Sequence, residues 1–135
     1  MATIAQVRTG MAGVLDNITG LRVYPRWPNT VNVPAAIVKR AGSPSRTTLS
    51  GNWRVNIEIT IAVQLVDLDR AQAALDEYIS PTGAKSIIAA LESDETLGGN
   101  AEYILIGEWG EDEGLAINDV DYATAKLPVE VHFLA

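Results

Sequence analysis

His132 is the one histidine of this sequence, and its chemistry could make the chain an enzyme. A histidine can act as the general base for a serine or cysteine nucleophile, or as a zinc ligand. The chain has no cysteine, which excludes disulfides and thiolate ligands, and no Gly-x-Ser-x-Gly segment presents a nucleophile. His132 falls on the polar face of the last predicted strand, where a surface residue is the simpler interpretation. We therefore expect no enzyme activity, no metal site and no cofactor.

Two further segments have compositions that suggest ligand binding. Residues 82–86, TGAKS, partly match a phosphate-binding loop. They lack its first glycine and follow a helix instead of a strand, so they are interpreted as the start of a helix. Residues 108–114 contain four carboxylates that could bind a hard cation, but without the alternating ligands of an EF-hand. A solvated acidic loop is the favoured interpretation, and an electrostatic contact with a partner is the second.

The overall charge argues against a nucleic-acid-binding protein. The formal net charge is −7, from 17 acidic and 10 basic residues. Tight nucleic-acid binding uses clustered Lys and Arg, and here only Lys39, Arg40 and Arg46 come near one another, around one loop. No apolar run reaches the roughly 20 residues that cross a bilayer, and no signal peptide is recognisable. The sequence predicts one domain over residues 1–135, made in the cytoplasm, with no membrane partner.

The N-terminal segment, residues 3–19, predicts a helix. Its apolar residues follow a spacing of three and four, which gives one buried stripe. Thr3 and Gln6 fit a capping box at its start. Gly10 and Gly13 weaken a helix, and we interpret them as points of close packing against a neighbour.

A long alternating strand follows two shorter predicted strands, at residues 21–24 and 35–40. From residue 53 to 65 every odd position is large and apolar, which is typical of a half-buried strand. Residues 53–66 would extend roughly 46 Å, whereas a compact chain of this size is roughly 37 Å across. We therefore expect a hairpin whose tip, at about residues 39–53, projects from the domain, unless twist or a bulge absorbs the excess. The loop at 42–52 is either a plain connection or an arm that orders against a partner.

Two more helices are predicted in the middle of the chain. Residues 68–79 change to a period of 3.6, with Asp67 or Asp69 as the cap. Ser80 and Pro81 then fit the cap and first turn of a further helix, which ends before the sequence LGGN at residues 97–100.

The C-terminal segment predicts three strands. Residues 103–109 form a strand whose neighbouring apolar residues indicate burial on both faces. A hairpin is expected around Asn118 and Asp119. The last strand has apolar residues at even positions before 123 and at odd positions after 126, so we expect a bulge or bend between them. Pro128 indicates a free strand edge.

These elements predict an α+β fold, because the strands cluster instead of alternating with helices. We expect a mixed, mainly antiparallel sheet of about four to six strands, with the N-terminal helix and the two central helices packed on one face and a long β-hairpin projecting from it.

Candidate interface residues come from the exposed-looking loops. Trp27, between two prolines, could anchor a partner, the 42–52 loop has basic residues beside it, and the acidic loop could make an electrostatic contact. The candidate residues are Trp27, Arg40, Arg46, Thr48, Leu49, Glu111, Asp112 and Glu113.

Residues 51–135 resemble tail terminator proteins of long-tailed bacteriophages, which are also called tail completion or head–tail joining proteins. The resemblance depends on the order of a long alternating strand, a helix ending in ALESDETLGG, the strand YILIGEW, a short hairpin and a final strand ending LPVEVHFLA. Leu97-Gly98-Gly99 and the last strand contribute most to it. These motifs describe fold elements and include no catalytic residue.

The resemblance implies a structural protein of the virion, located at the head-proximal end of the tail. Such proteins form a ring, commonly a hexamer, that caps the tail tube, stops its growth and joins it to the head. The implied partners are further copies of the chain, the tail tube protein and the head–tail connector protein, and DNA would pass through the lumen without specific binding. Two alternatives stand beside it: another virion connector or tube subunit, and a small ligand-binding α+β domain.

Overall fold

The computed structural model describes residues 3–25, 33–46, 51–64, 68–110, 113–117 and 120–134, without the side chains of residues 68, 113–117, 120 and 121. Three helices and seven strands lie in these ranges. In chain order they are α1 (Ile4–Leu15), β1 (Arg22–Tyr24), β2 (Ala35–Arg40), β3 (Ser45–Arg46), β4 (Asn52–Gln64), α2 (Leu68–Ile79), α3 (Ile87–Ser93), β5 (Tyr103–Ile106), β6 (Glu113–Ile117) and β7 (Val120–Leu134).

Helix α1 begins at the predicted capping box. The Thr3 side chain accepts a hydrogen bond from the Gln6 backbone N–H at 3.2 Å, and the Gln6 side chain accepts one from the Thr3 N–H at 2.9 Å. These bonds satisfy two amides that the first turn leaves without helical partners. The buried face carries Val7, Met11 and Leu15, which confirms the predicted stripe.

The strands form one mixed sheet in the order β1-β2-β4-β7-β5, with β3 paired to β4 and β6 paired to β7. Strand β1 runs parallel to β2, and the other described pairs are antiparallel. The sheet has seven strands in the described residues, counting the two-residue β3. The predicted α+β class is confirmed. No helix in the described ranges is long and apolar enough to span a membrane.

The two central strands, β4 and β7, place their odd-numbered residues under the helices. The register pairs Trp53 with Phe133 and Ile59 with Leu127, and the apolar side chains of this face join those of the helices in the main core. Ile59 and Leu127 have no exposed surface. We call the opposite side of the sheet, which carries the even-numbered residues of β4 and β7, the open face.

The bulge predicted between residues 123 and 126 is wrong. The register runs without a break from Asn52 opposite Leu134 to Gln64 opposite Tyr122. Tyr122 therefore lies on the open face, where it packs with Ala62 and Val33 in a second, small cluster. Both faces of the sheet are buried at this end. The apolar residues at even positions are therefore buried without a bulge that would turn them towards the helices.

The long strand has a partner along its whole length. Strand β7 pairs with all 13 residues of β4. The predicted hairpin, with its tip at about residues 39–53, is therefore part of a wider sheet. On the other side of β4, β2 pairs with residues 57–62 and β3 with residues 53–54. The open face is buried at Thr60 and Ala62 but bare at Arg54 and Asn56, so only the helical face is covered at the hairpin end.

Helix α3 begins later than the sequence indicates. Its cap is Ser86, whose hydroxyl accepts from the Ala89 N–H at 3.1 Å and donates to the Ser80 carbonyl at 2.5 Å. The predicted start at Pro81 is wrong, because Gly83 has a φ of +114°, which interrupts a right-handed helix.

Strand β5 is shorter and more exposed than predicted. It covers four residues and pairs with β7 at one margin of the sheet. Ile104 points into the core, while Tyr103 and Leu105 are exposed on the open face. Burial on both faces was therefore a wrong expectation. The hairpin of β6 and β7 is confirmed by the pairing of Ile117 with Val120, and its two connecting residues lie outside the described ranges.

Pro128 occupies a gap between two partners of β7. On one side β4 pairs with it, and on the other side β5 pairs with residues 129–132 and β6 with residues 120–124. The Pro128 carbonyl accepts from the Gly107 N–H at 2.8 Å, just beyond the end of β5. The free strand edge expected at Pro128 is therefore wrong, because β7 lies between β4 and β5 in the sheet and the Gly107 segment covers Pro128 on the side away from β4.

Candidate functional site

The bare end of the open face carries a cluster of exposed apolar side chains. Tyr103, Leu105 and Leu134 are 42%, 53% and 43% exposed, and they are the exposed large hydrophobic residues of the described chain. Tyr103 lies opposite His132 in the register, Leu105 opposite Glu130, and Leu134 opposite Asn52. All three therefore project from the same face. We call Tyr103, Leu105, His132 and Leu134 the open-face patch.

Arg54 and Glu130 form an ion pair beside this patch. The Tyr103 and His132 rings stack with centroids 4.4 Å apart and planes inclined by 12°. Glu130 lies between two basic groups: its Oε1 is 3.3 Å from Arg54 Nη1, and its Oε2 is 3.4 Å from His132 Nε2. The His132 contact lacks hydrogen-bond geometry. The stacked Tyr103 ring and the contact with Glu130 leave the His132 side chain only 15% exposed. His132 is therefore less accessible than the sequence led us to expect of a surface residue.

The composition of the open-face patch suits contact with a partner protein. The Nε2 atom of His132 has no hydrogen-bond partner in the described chain. No group of three or more metal-ligating side chains occurs among the described residues. Apolar and aromatic side chains beside a few charged groups are instead typical of protein interfaces.

The predicted interface residues do not lie in the open-face patch. Arg40 lies opposite Ile57 and Arg46 opposite Trp53, so both belong to the helical side of the hairpin. Both are exposed, and the Arg46 guanidinium is 5.1 Å from the centre of the Trp53 ring. Trp27, Thr48, Leu49, Glu111 and Asp112 lie outside the described residues, and Glu113 begins β6 with an undescribed side chain.

Sequence reasoning missed the open-face patch because it placed β5 inside the sheet. A run such as YILI is compatible with a strand buried on both faces and with a marginal strand that exposes one. The available signal was the odd–even pattern: Tyr103 and Leu105 share one parity, and the core residues Ile104 and Ile106 share the other.

A cleft of about 420 Å³ lies at the other end of the sheet, between Val33, the end of β4 and helix α2. Lys85 Nζ is 3.0 Å from Glu77 Oε2 at its margin, and this hydrogen bond raises the pKa of Lys85 above its usual value. Burial raises the pKa of the Tyr78 phenol, which also lines the cleft.

Comparisons with protein-family models and with curated proteins find no match. A proposal for the function of this chain therefore rests on its fold, its open-face patch and its charges.

Proposed function

We propose that the protein is a structural component of a bacteriophage virion, a tail terminator that assembles as a ring on the tail tube, ends its polymerisation and joins the tail to the head connector. The observation that carries the proposal is the open-face patch: three large apolar side chains lie together on a bare end of the sheet. Clustered exposed apolar surface marks sites of protein contact.

The elements that resemble tail terminators are also the ones that build this surface. Strands β4, β5 and β7 come from residues 51–135, the part of the chain with the resemblance, and they position all four residues of the patch. A mixed sheet with helices on one face is the fold that the resemblance implies. In the proposed function the open-face patch contacts the tail tube protein.

A second candidate function is a small ligand-binding domain. The cleft of about 420 Å³ has the size of small-molecule sites, which occupy about 300–1,000 Å³. Its described charged pair, Lys85 with Glu77, is already satisfied.

A virion connector or tube subunit would use the same open-face patch. Tail length in the phage distinguishes such a subunit from a terminator.

Leu105→Glu tests the contact with the tube. It places a charge in the patch at an exposed position, so we expect the melting temperature to stay close to that of the wild type. Sedimentation with purified tail tubes should show binding weakened by tenfold or more, because an unpaired charge would be desolvated in the contact. A phage that depends on this variant should produce overlong or headless tails in electron micrographs.

Ala73→Glu is the matched control. It adds the same charge to an exposed position of α2, away from the patch, and should bind tubes like the wild type. Equal tube binding by both variants would contradict the role of the open-face patch. Normal tail length in a phage that lacks the gene would overturn the terminator function itself.

A further inference from the structure

The charges of this chain are strongly segregated along the sequence. Residues 17–57 contain six Lys or Arg and no Asp or Glu, whereas residues 86–125 contain ten Asp or Glu and no Lys or Arg. A chain with a net charge of −7 thus has one long positive segment and one long negative segment.

The sheet places the two segments on opposite margins. The positive segment contains β1, β2, β3 and the first half of β4, and the negative segment contains β5, β6 and the start of β7. Because the strand order is β1-β2-β4-β7-β5, with β3 on the β2 side of β4 and β6 on the β5 side of β7, the charges separate across the sheet. Four adjacent strands, β3, β4, β7 and β5, span about 14 Å at the usual strand spacing.

Exposed side chains carry the charge at each margin. We call Arg40 and Arg46, on β2 and β3, the basic edge, and Glu102 and Glu108, which flank β5, the acidic edge. All four residues are exposed, and none of them forms an ion pair with another residue in the ranges that the structure describes. Their charges are therefore available to a partner.

We propose that the protein associates head to tail with further copies of itself, the basic edge of one copy contacting the acidic edge of the next. A contact between two basic edges or two acidic edges would be repulsive, so the charge pattern disfavours a two-fold dimer through either edge. After one contact the pair of copies keeps one unused edge of each sign, which lets the assembly continue and close into a ring.

This contact deepens the proposed function, because it supplies the subunit interface that a ring on the tail tube requires, and to that extent it depends on that proposal. Electrostatic contacts between exposed groups weaken as salt screens them. We therefore expect oligomers at low ionic strength that dissociate as salt is added.

Charge reversal of each edge tests the inference by sedimentation velocity at low salt. Arg40→Glu with Arg46→Glu makes both edges acidic, and Glu102→Lys with Glu108→Lys makes both basic. Each variant alone should associate at least tenfold more weakly than the wild type. An equimolar mixture should recover association, because every contact in an alternating assembly again joins opposite charges. Recovery would also show that both variants are folded.

A control variant reverses charges elsewhere. Glu92→Lys with Glu95→Lys changes two exposed carboxylates on and beside α3, and it should assemble like the wild type. A wild type that is monomeric at high concentration and low salt would overturn the head-to-tail contact. So would edge variants that assemble normally, or a mixture that does not recover.

The same variants separate this contact from the proposed function. If the edge variants fail to assemble and the wild-type oligomer does not bind tail tubes, the contact stands and the terminator function fails. If the wild type caps tubes while the edge variants form rings as well as it does, the function stands and the contact is wrong.

Discussion

At the scale of single residues, a glycine of α1 sets the distance between this helix and the loop after α3. A Cβ atom on Gly10 would lie 2.3 Å from the Leu97 carbonyl oxygen, whereas a Cβ on Gly13 would have no atom of the described residues within 4 Å. Leu97 is fully buried and has a φ of +51°, so its backbone is held in an uncommon conformation. The predicted close packing is confirmed at Gly10 and wrong at Gly13.

Gly10→Ala should therefore destabilise the protein by about 1–3 kcal/mol, because a backbone atom must move to admit the methyl group. Gly13→Ala is the matched control, and it should be neutral or stabilising by up to about 1 kcal/mol, because alanine favours the helix. Urea unfolding of the two variants measures both effects. Equal effects at the two positions would contradict the packing.

Asp94 organises the same loop. Its carboxylate accepts from the Thr96 N–H at 3.2 Å, the Thr96 hydroxyl at 2.6 Å and the Gly98 N–H at 3.0 Å. The Thr96 hydroxyl contributes most to holding the pKa of Asp94 below its usual value, followed by the Gly98 N–H. These bonds therefore stabilise the folded state more when Asp94 is charged.

The stability of the protein should reflect this shift in acid. A carboxyl whose pKa is lower in the folded state stabilises fully above its unfolded pKa, and this stabilisation is lost as pH falls through the folded pKa. We expect the difference in unfolding free energy between the wild type and Asp94→Asn to be constant near neutral pH and to shrink in this acidic range. Denaturant titrations at several pH values measure it, and a difference that persists unchanged into acid would contradict the assignment.

At the scale of elements, the two faces of β4 have different roles. Ile59 is fully buried under the helices, Trp53 is only partly buried near the hairpin end, and Asn56 is exposed on the open face. Ile59→Ala should cost about 2–5 kcal/mol of unfolding free energy, Trp53→Ala less, and Asn56→Ala within about 0.5 kcal/mol. Chemical denaturation checks this order, and a loss at Asn56 as large as at Ile59 would contradict it.

The elements that sequence could predict are those determined by local signals. The capping box at Thr3 and the alternation from Trp53 onward specify α1 and β4 through contacts within a few residues. The delayed start of α3 depends on a hydrogen bond from Ser86 back to the Ser80 carbonyl, and the straight register of β7 depends on Val33 and Ala62 covering Tyr122. Partners outside the element itself decide such features, so periodicity alone cannot predict them.

The candidate site was harder to predict than the fold for the same reason. Arg40 and Arg46 were identified from exposed-looking loop sequence, and they are exposed. The apolar part of the surface was missed, because Tyr103 and Leu105 become exposed only through the marginal place of β5 in the strand order.

At the scale of the whole molecule, one sheet separates three kinds of surface. The helical face contains the main core, the open-face patch offers apolar contact, and the two margins carry opposite charge. In the proposed ring the margins would contact neighbouring subunits while the patch contacts the tube, so one copy can use both surfaces at once. Tube binding should therefore be lost through Leu105→Glu without loss of self-association at the charged edges.

The unbroken register between β4 and β7 also has a consequence for how the protein is made. Residue 52 pairs with residue 134 and residue 64 with residue 122, so β4 leaves the ribosome long before its central partner exists. During that interval β2 and β3 are the described strands that can pair with it, and β7 is not yet beside it. Contacts so far apart in sequence form slowly, and a half-made strand of this kind is exposed to aggregation. The charged and polar side chains along its other face, Arg54, Asn56 and Glu58, then act as protection for a nascent chain that waits for its last strand.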